Sequence, residues 1–261
     1  MPEYTISASS FDPALVALSF LISVFGAWCG LTCASRARDR HGAGAFLWLL
    51  AGAVAIGGGA VWSMHFIGML AYNGHVAYRL DVPITLVSLL AVIVGGGLGI
   101  GIAWRLHNVV GYVVGGLLVG AGVGVMHYLG MYAMQMNAEM AYRPAVVGIS
   151  LVIAFAASVI ALFFTLNVRS TLMRGLASLI MGVGVCAMHY TGMFALMVRP
   201  DLTKIDVGLA AGADPFTLAM PIFGLSAVLL FVLLFAGMMD EASGEAEIPA
   251  AEETRPEPSF R

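Results

Sequence analysis

Val61-Trp62-Ser63-Met64-His65-Phe66-Ile67-Gly68-Met69 recurs without a gap as Val123-Gly124-Val125-Met126-His127-Tyr128-Leu129-Gly130-Met131, and again as Val185-Cys186-Ala187-Met188-His189-Tyr190-Thr191-Gly192-Met193. The three histidines stand 62 residues apart (127 − 65 and 189 − 127). Gly58, Gly120 and Gly182 upstream, and Ala71, Ala133 and Ala195 downstream, keep the same register. Each copy lies inside a long apolar run. Of 261 residues, 60% are hydrophobic and only 10% charged, against about 25% charged in a soluble domain. So few charges cannot cover a water-facing surface, so lipid is the solvent for most of the chain.

Apolar runs occupy 13–34, 43–72, 83–104, 109–136, 145–166, 175–198 and 215–239. Each exceeds the roughly 20 residues that cross a bilayer as a helix. They are continuous rather than alternating, which excludes barrel strands. The expected fold is an all-α membrane protein with seven transmembrane helices. The repeats (about 13–74, 75–136 and 137–198) hold two crossings each, so the copies run parallel about a pseudo-threefold axis along the membrane normal. A seventh helix follows at 215–239.

Residues 1–12 carry Glu3 and Asp12 and no Lys or Arg, which argues against a cleaved signal peptide and for a retained first span. Arg36, Arg38, Arg40, Arg105, Arg169 and Arg174 fall on one side of the membrane with only Asp39. The other side mixes Arg79, Arg143, Arg199 and Lys204 with Asp81, Glu139, Asp201, Asp206 and Asp214. The positive-inside rule then sets an extracytoplasmic N-terminus and a cytoplasmic C-terminus. Residues 240–261, rich in Glu, Pro, Ala and Ser, read as a disordered acidic cytoplasmic tail without a catalytic domain.

If the second, fourth and sixth helices form an inner ring, His65, His127 and His189 meet at one level, roughly 12–15 Å inside the outer loop junction. They are the only His, Asp, Glu, Lys or Arg side chains well inside the expected spans. Such residues at that depth are functional candidates by default. Within each copy the histidine and the second methionine, four residues on, share a helix face. Gly68, Gly130 and Gly192, three residues after each histidine, let another helix approach.

Imidazole suits copper, zinc and iron, while thioether donors favour Cu(I). The candidate ligands are His65, His127 and His189, with Met64, Met69, Met126, Met131, Met188 and Met193 read either as thioether donors or as fillers of the core. Without an inward carboxylate, hard cations are disfavoured. Copper is the first choice, ahead of haem and zinc. Tyr128, Tyr190 and Cys186 are accessory candidates, although Phe66 replaces tyrosine in the first copy. His41, His75 and His107 read as loop residues, with His75 a conceivable capture point for external metal. Cys29, Cys33 and Cys186 sit in apolar stretches and form no disulfide framework. The scattered basic residues do not suit nucleic acid, and the glycine clusters lack the Lys-Ser/Thr of a phosphate loop. No catalytic residue is assigned, and the absence of an inward acid or base argues against an enzyme.

Met188-His189-Tyr190-Thr191 spells MHYT, with Met126-His127-Tyr128-Leu129 and Met64-His65-Phe66-Ile67 as its counterparts. The chain resembles the MHYT-domain family of bacterial integral-membrane sensors over roughly residues 10–240. That resemblance implies an inner-membrane location, a copper site built from Met, His and perhaps Tyr, and sensing of oxygen, carbon monoxide or nitric oxide. Members are often fused to signalling domains, so a separate cytoplasmic partner is the expected reader here. A copper-dependent enzyme or copper-handling protein, and a structural subunit without metal, are the alternatives.

Overall fold

The computed structural model describes residues 4–5, 10–73, 77–200 and 212–246. His75, Asp201, Lys204, Asp206 and the tail from 247 onward lie outside them. Among the described residues, seven helices are long and apolar enough to cross a membrane. They are α1 (Pro13–Arg38), α2 (Gly42–Leu70), α3 (Val82–Leu106), α4 (Val109–Tyr132), α5 (Pro144–Asn167), α6 (Thr171–Phe194) and α7 (Pro215–Ala246). The expected seven-helix class is the observed one.

Helix starts are written in short polar residues. Asp12 accepts from the amides of Ala14 and Leu15, Asp81 from Ile84, Asn108 from Gly111 and Ser170 from Met173. Each satisfies a backbone donor that lipid would leave bare. Asp214 does the same for α7, accepting from Phe216 and Thr217. Its bond from the Thr217 amide, above all, holds its carboxyl below the usual carboxylate range. At the opposite end Arg38 donates to the carbonyls of Leu166 and Val168, closing the C-terminus of α5.

Helix α2 is not uniform. Ala55–Trp62 forms a π-helical turn containing Gly57, Gly58 and Gly59. The Ser63 hydroxyl donates to the Gly58 carbonyl at 2.8 Å. Expansions of this kind re-aim the residues beyond them, here the segment carrying His65. Helix α7 packs beside the turn, with Leu230 against Gly59 and a hydrogen bond between Ser226 and Ser63 of 2.6 Å.

The loops at the motif-bearing end are more ordered than loops need be. They form β1 (Tyr4–Thr5), β2 (Tyr78–Leu80), β3 (Met134–Met136), β4 (Ala138–Tyr142) and β5 (Leu196–Pro200). All pairings are antiparallel, in a β1-β5-β4 sheet and a β2-β3 pair. The apolar runs expected to be helical to 136 and 198 therefore leave the helix at Tyr132 and Phe194. Hydropathy misplaces those ends because Met134 and Met136 are buried strand residues, alternating with Gln135. At the other extreme α7 continues to Ala246, past 239, through a segment of good helix formers such as Glu241, Ala242 and Glu245.

Helices α3 and α4 touch through glycine. A Cβ built on Gly95 would lie 2.9 Å from the Cα of Gly122 and 3.0 Å from the Leu118 carbonyl oxygen, whereas one on Gly148 meets nothing within 4 Å. Gly95→Ala is therefore expected to cost about 1–3 kcal/mol, as overpacking does, and Gly148→Ala close to nothing. Thermal unfolding of both variants in nanodiscs checks this; equal midpoints would contradict the close α3–α4 contact.

Candidate metal centre

His65, His127 and His189 come from α2, α4 and α6, and all three are 0–1% exposed. The shared period brings them together as the inner-ring arrangement requires. His65 Nδ1 lies 3.0 Å from His189 Nδ1 and 3.2 Å from His127 Nδ1. The ring centroids are 5.0, 5.0 and 5.2 Å apart, with interplanar angles of 76, 87 and 88°. Three imidazoles thus meet edge to face around a point. Their donor atoms form the one His, Cys, Asp or Glu group of ligand type among the described residues, all within 4.8 Å of one another.

The outward nitrogens define a second ring. No Nε2 of the three has a hydrogen-bond partner among the described residues. Instead, His65 Nε2 faces Gly130, His127 Nε2 faces Gly192, and His189 Nε2 faces Gly68. A Cβ on any of these glycines would fall closer than 3.0 Å to that nitrogen. Each histidine therefore needs the glycine of the next copy, and the third closes on the first.

Every histidine also packs edge to face on the aromatic residue that follows it. Phe66, Tyr128 and Tyr190 each lie with ring centroids 4.8 Å from their histidine. The tyrosine hydroxyls are engaged elsewhere: Tyr128 with Ser150 of α5 at 2.6 Å, and Tyr190 with Ser19 of α1 at 2.9 Å. In the first copy Trp62 substitutes for the missing hydroxyl, donating from Nε1 to Ser88 of α3 at 3.0 Å. Ser19, Ser88 and Ser150 are fully buried. Each also bonds the carbonyl three residues back. This serine ring escaped the sequence reading. Its signal is present, because Ser88 and Ser150 keep the repeat spacing of the histidines.

The six motif methionines, Met64, Met69, Met126, Met131, Met188 and Met193, are 0–2% exposed. Five of them join one core cluster with Phe66 and Val123; Met64 is buried outside that cluster. Cys186 is half-buried on α6 and stands outside the histidine group.

The triad can bind a metal. A neutral imidazole carries one N–H and one lone pair. With protons on Nε2, the Nδ1 lone pair of His65 faces those of His127 and His189, which a cation among them would relieve; with its proton on Nδ1, His65 donates a hydrogen bond instead. Nitrogens about 2.0 Å from one ion stand about 3.3–3.5 Å apart. The observed 3.0 and 3.2 Å therefore need the rings to part by only tenths of an ångström. The touching rings leave no slot for a planar macrocycle, so haem does not fit between them.

Comparison with known proteins extends the pattern. The MHYT family profile, described as "Bacterial signalling protein N terminal repeat", matches residues 58–116 and 120–178. These matches start 62 residues apart (120 − 58), in the register of the histidines. The bifunctional diguanylate cyclase/cyclic di-GMP phosphodiesterase MucR of Pseudomonas aeruginosa is 32% identical over 243 residues, covering 89% of this chain and 34% of that protein. The cyclic di-GMP phosphodiesterase NbdA of the same organism is 32% identical over 223 residues, covering 82% and 28%. The signaling protein YkoW of Bacillus subtilis is 30% identical over 202 residues, covering 74% and 25%. The chain spans about a third of the length of these relatives or less. No solved structure matches it. Seven apolar helices among the described residues and this kinship make it a multi-pass inner-membrane protein. The chain belongs to the MHYT family of bacterial signalling sensor repeats.

Proposed function

We propose that the bundle is the sensory part of a signalling system whose tri-histidine centre holds copper and reports on oxygen, carbon monoxide or nitric oxide. The observation that carries this reading is the meeting of three buried Nδ1 atoms with no carboxylate in their group. His65, His127 and His189 are the primary ligands. Met64, Met69, Met126, Met131, Met188 and Met193 supply thioether capacity, which favours Cu(I) over zinc. Bound Cu(I) would supply a soft, electron-rich centre with affinity for a small diatomic gas.

The protein's own part is to fix the ligands and exclude water. Gly68, Gly130 and Gly192 leave room for the rings, and Phe66, Tyr128 and Tyr190 hold them upright. Apolar helices admit a small gas from lipid while barring solutes. The N-terminus lies outside and the arginine-rich end inside. Because two relatives carry names of cyclic di-GMP enzymes, the output of this chain is cyclic di-GMP turnover on the cytoplasmic side, performed by a linked or separate module.

Metal analysis of copper-loaded protein tests the centre. The wild type is expected to retain copper, and His127→Ala to bind it more than about 100-fold less tightly, a larger loss than an outer partner causes. No copper in the wild type, or equal copper in a triple His→Asn variant, would overturn the site and favour histidines that only join helices. Unchanged spectra of the reduced copper form under carbon monoxide, oxygen and nitric oxide would remove gas sensing while leaving the metal.

Two neighbours separate fit from ligation. Gly130→Ala should displace His65 and lower copper affinity by about 10–100-fold. Tyr128→Phe, which loses only the bond to Ser150, should cost about 0.5–1.5 kcal/mol of stability and leave copper affinity unchanged. Copper titration and thermal unfolding read both; a collapse of affinity in Tyr128→Phe would make the phenol a ligand.

A further inference from the structure

At the basic end of the bundle, remote from the histidines, a groove of about 520 Å³ opens between α2 and α3. That volume falls within the roughly 300–1,000 Å³ of small-molecule sites. Arg40 and His41, just before α2, and Arg105, in the last turn of α3, stand at its mouth. Phe46 and Leu49 wall one side and Leu98 the other. The helices run antiparallel, so the cationic end of each lies at the same level and the apolar faces descend together into the bilayer.

The floor of the groove is glycine. A Cβ on Gly101 meets no atom within 4 Å, and one on Gly97 only just reaches Ala53 at 4.0 Å. Close helix packing therefore does not explain Gly101, which leaves space on the lipid-facing side. Phe46 and Leu98 are 64% and 57% exposed.

We propose that this groove is a binding site for one anionic phospholipid, its phosphate between Arg40 and Arg105 and an acyl chain along Phe46, Leu49 and Leu98. A free anion would use only the mouth, and an uncharged hydrocarbon only the walls. An anionic lipid is the ligand that matches both halves in one molecule, and basic pockets between helix ends suit such headgroups. The site is independent of the metal centre, at the opposite end of the bundle.

Native mass spectrometry of the purified full chain, offered equimolar phosphatidylglycerol and phosphatidylcholine in detergent, tests the assignment. The wild type is expected to hold one phosphatidylglycerol with a preference of roughly tenfold or more. The Arg40→Gln/Arg105→Gln double variant should bring that preference down to about twofold, while Arg169→Gln leaves it intact. Gly101→Leu should lower occupancy by both lipids without loss of helical content. An undiminished preference in the double variant, an equal fall in Arg169→Gln, or full occupancy in Gly101→Leu would each overturn the proposal. Displacement of the lipid by free glycerol phosphate as readily as by phosphatidylglycerol would likewise overturn it, assigning the mouth to a soluble anion.

Discussion

An imidazole inside lipid has no water to fall back on, and everything around the triad answers to that constraint. Three such rings meet at Nδ1, with His65 3.0 and 3.2 Å from its two partners. Bringing three helices close enough for that contact requires a face without side chains next to each ring, which Gly68, Gly130 and Gly192 provide. It also requires that each ring not swing, and the aromatic residue following every histidine blocks that motion. Tyr128 and Tyr190 are in turn tied to buried serines on the outer helices, and Phe66 packs on Trp62, which donates to the third serine. Inner ring, glycine ring and serine ring are thus three shells of one arrangement, each holding the next in place.

The threefold order is broken where α7 joins. Only the first inner helix carries a π turn, and only it is lengthened: Gly42 precedes His65 by 23 residues, while Val109 and Thr171 precede their histidines by 18 (65 − 42, 127 − 109 and 189 − 171). Five extra residues add about 7 Å of helix at the basic end, where the groove with Arg40 opens. Next to the π turn, α7 inserts Leu230 against Gly59 and bonds Ser226 to Ser63. Ser63 stands two residues from His65. The seventh helix therefore grips the segment that carries one of the three rings, through Leu230 and Ser226.

Most of this architecture was legible because lipid simplifies the code. Long apolar runs have one regular solution, and a period containing two crossings forces parallel copies. With the even helices as an inner ring, the histidines then converge, and the structure has that ring. The parts that were not legible depend on contacts between copies. Ser19, Ser88 and Ser150 look like ordinary small residues until Tyr190, Trp62 and Tyr128 are seen to reach them. Met134 and Met136 read as helix continuation, since hydropathy counts apolar residues and ignores whether they recur every second or every fourth position. The π turn was hidden in Gly57-Gly58-Gly59, a run equally suited to plain close packing.

The cyclic interlock explains why the copies hold a common register. His65 rests on the glycine of the second copy, His127 on that of the third, and His189 on that of the first. No ring can be adjusted within its own helix, because the space it occupies belongs to its neighbour. A residue inserted ahead of one histidine would rotate it by about 100°, taking its Nδ1 from the centre and setting a side chain where a glycine had been. The damage would reach both other copies at once. A site built this way is either assembled at all three positions or at none. Under the proposed function, that property would let occupation of the centre be felt by the whole bundle.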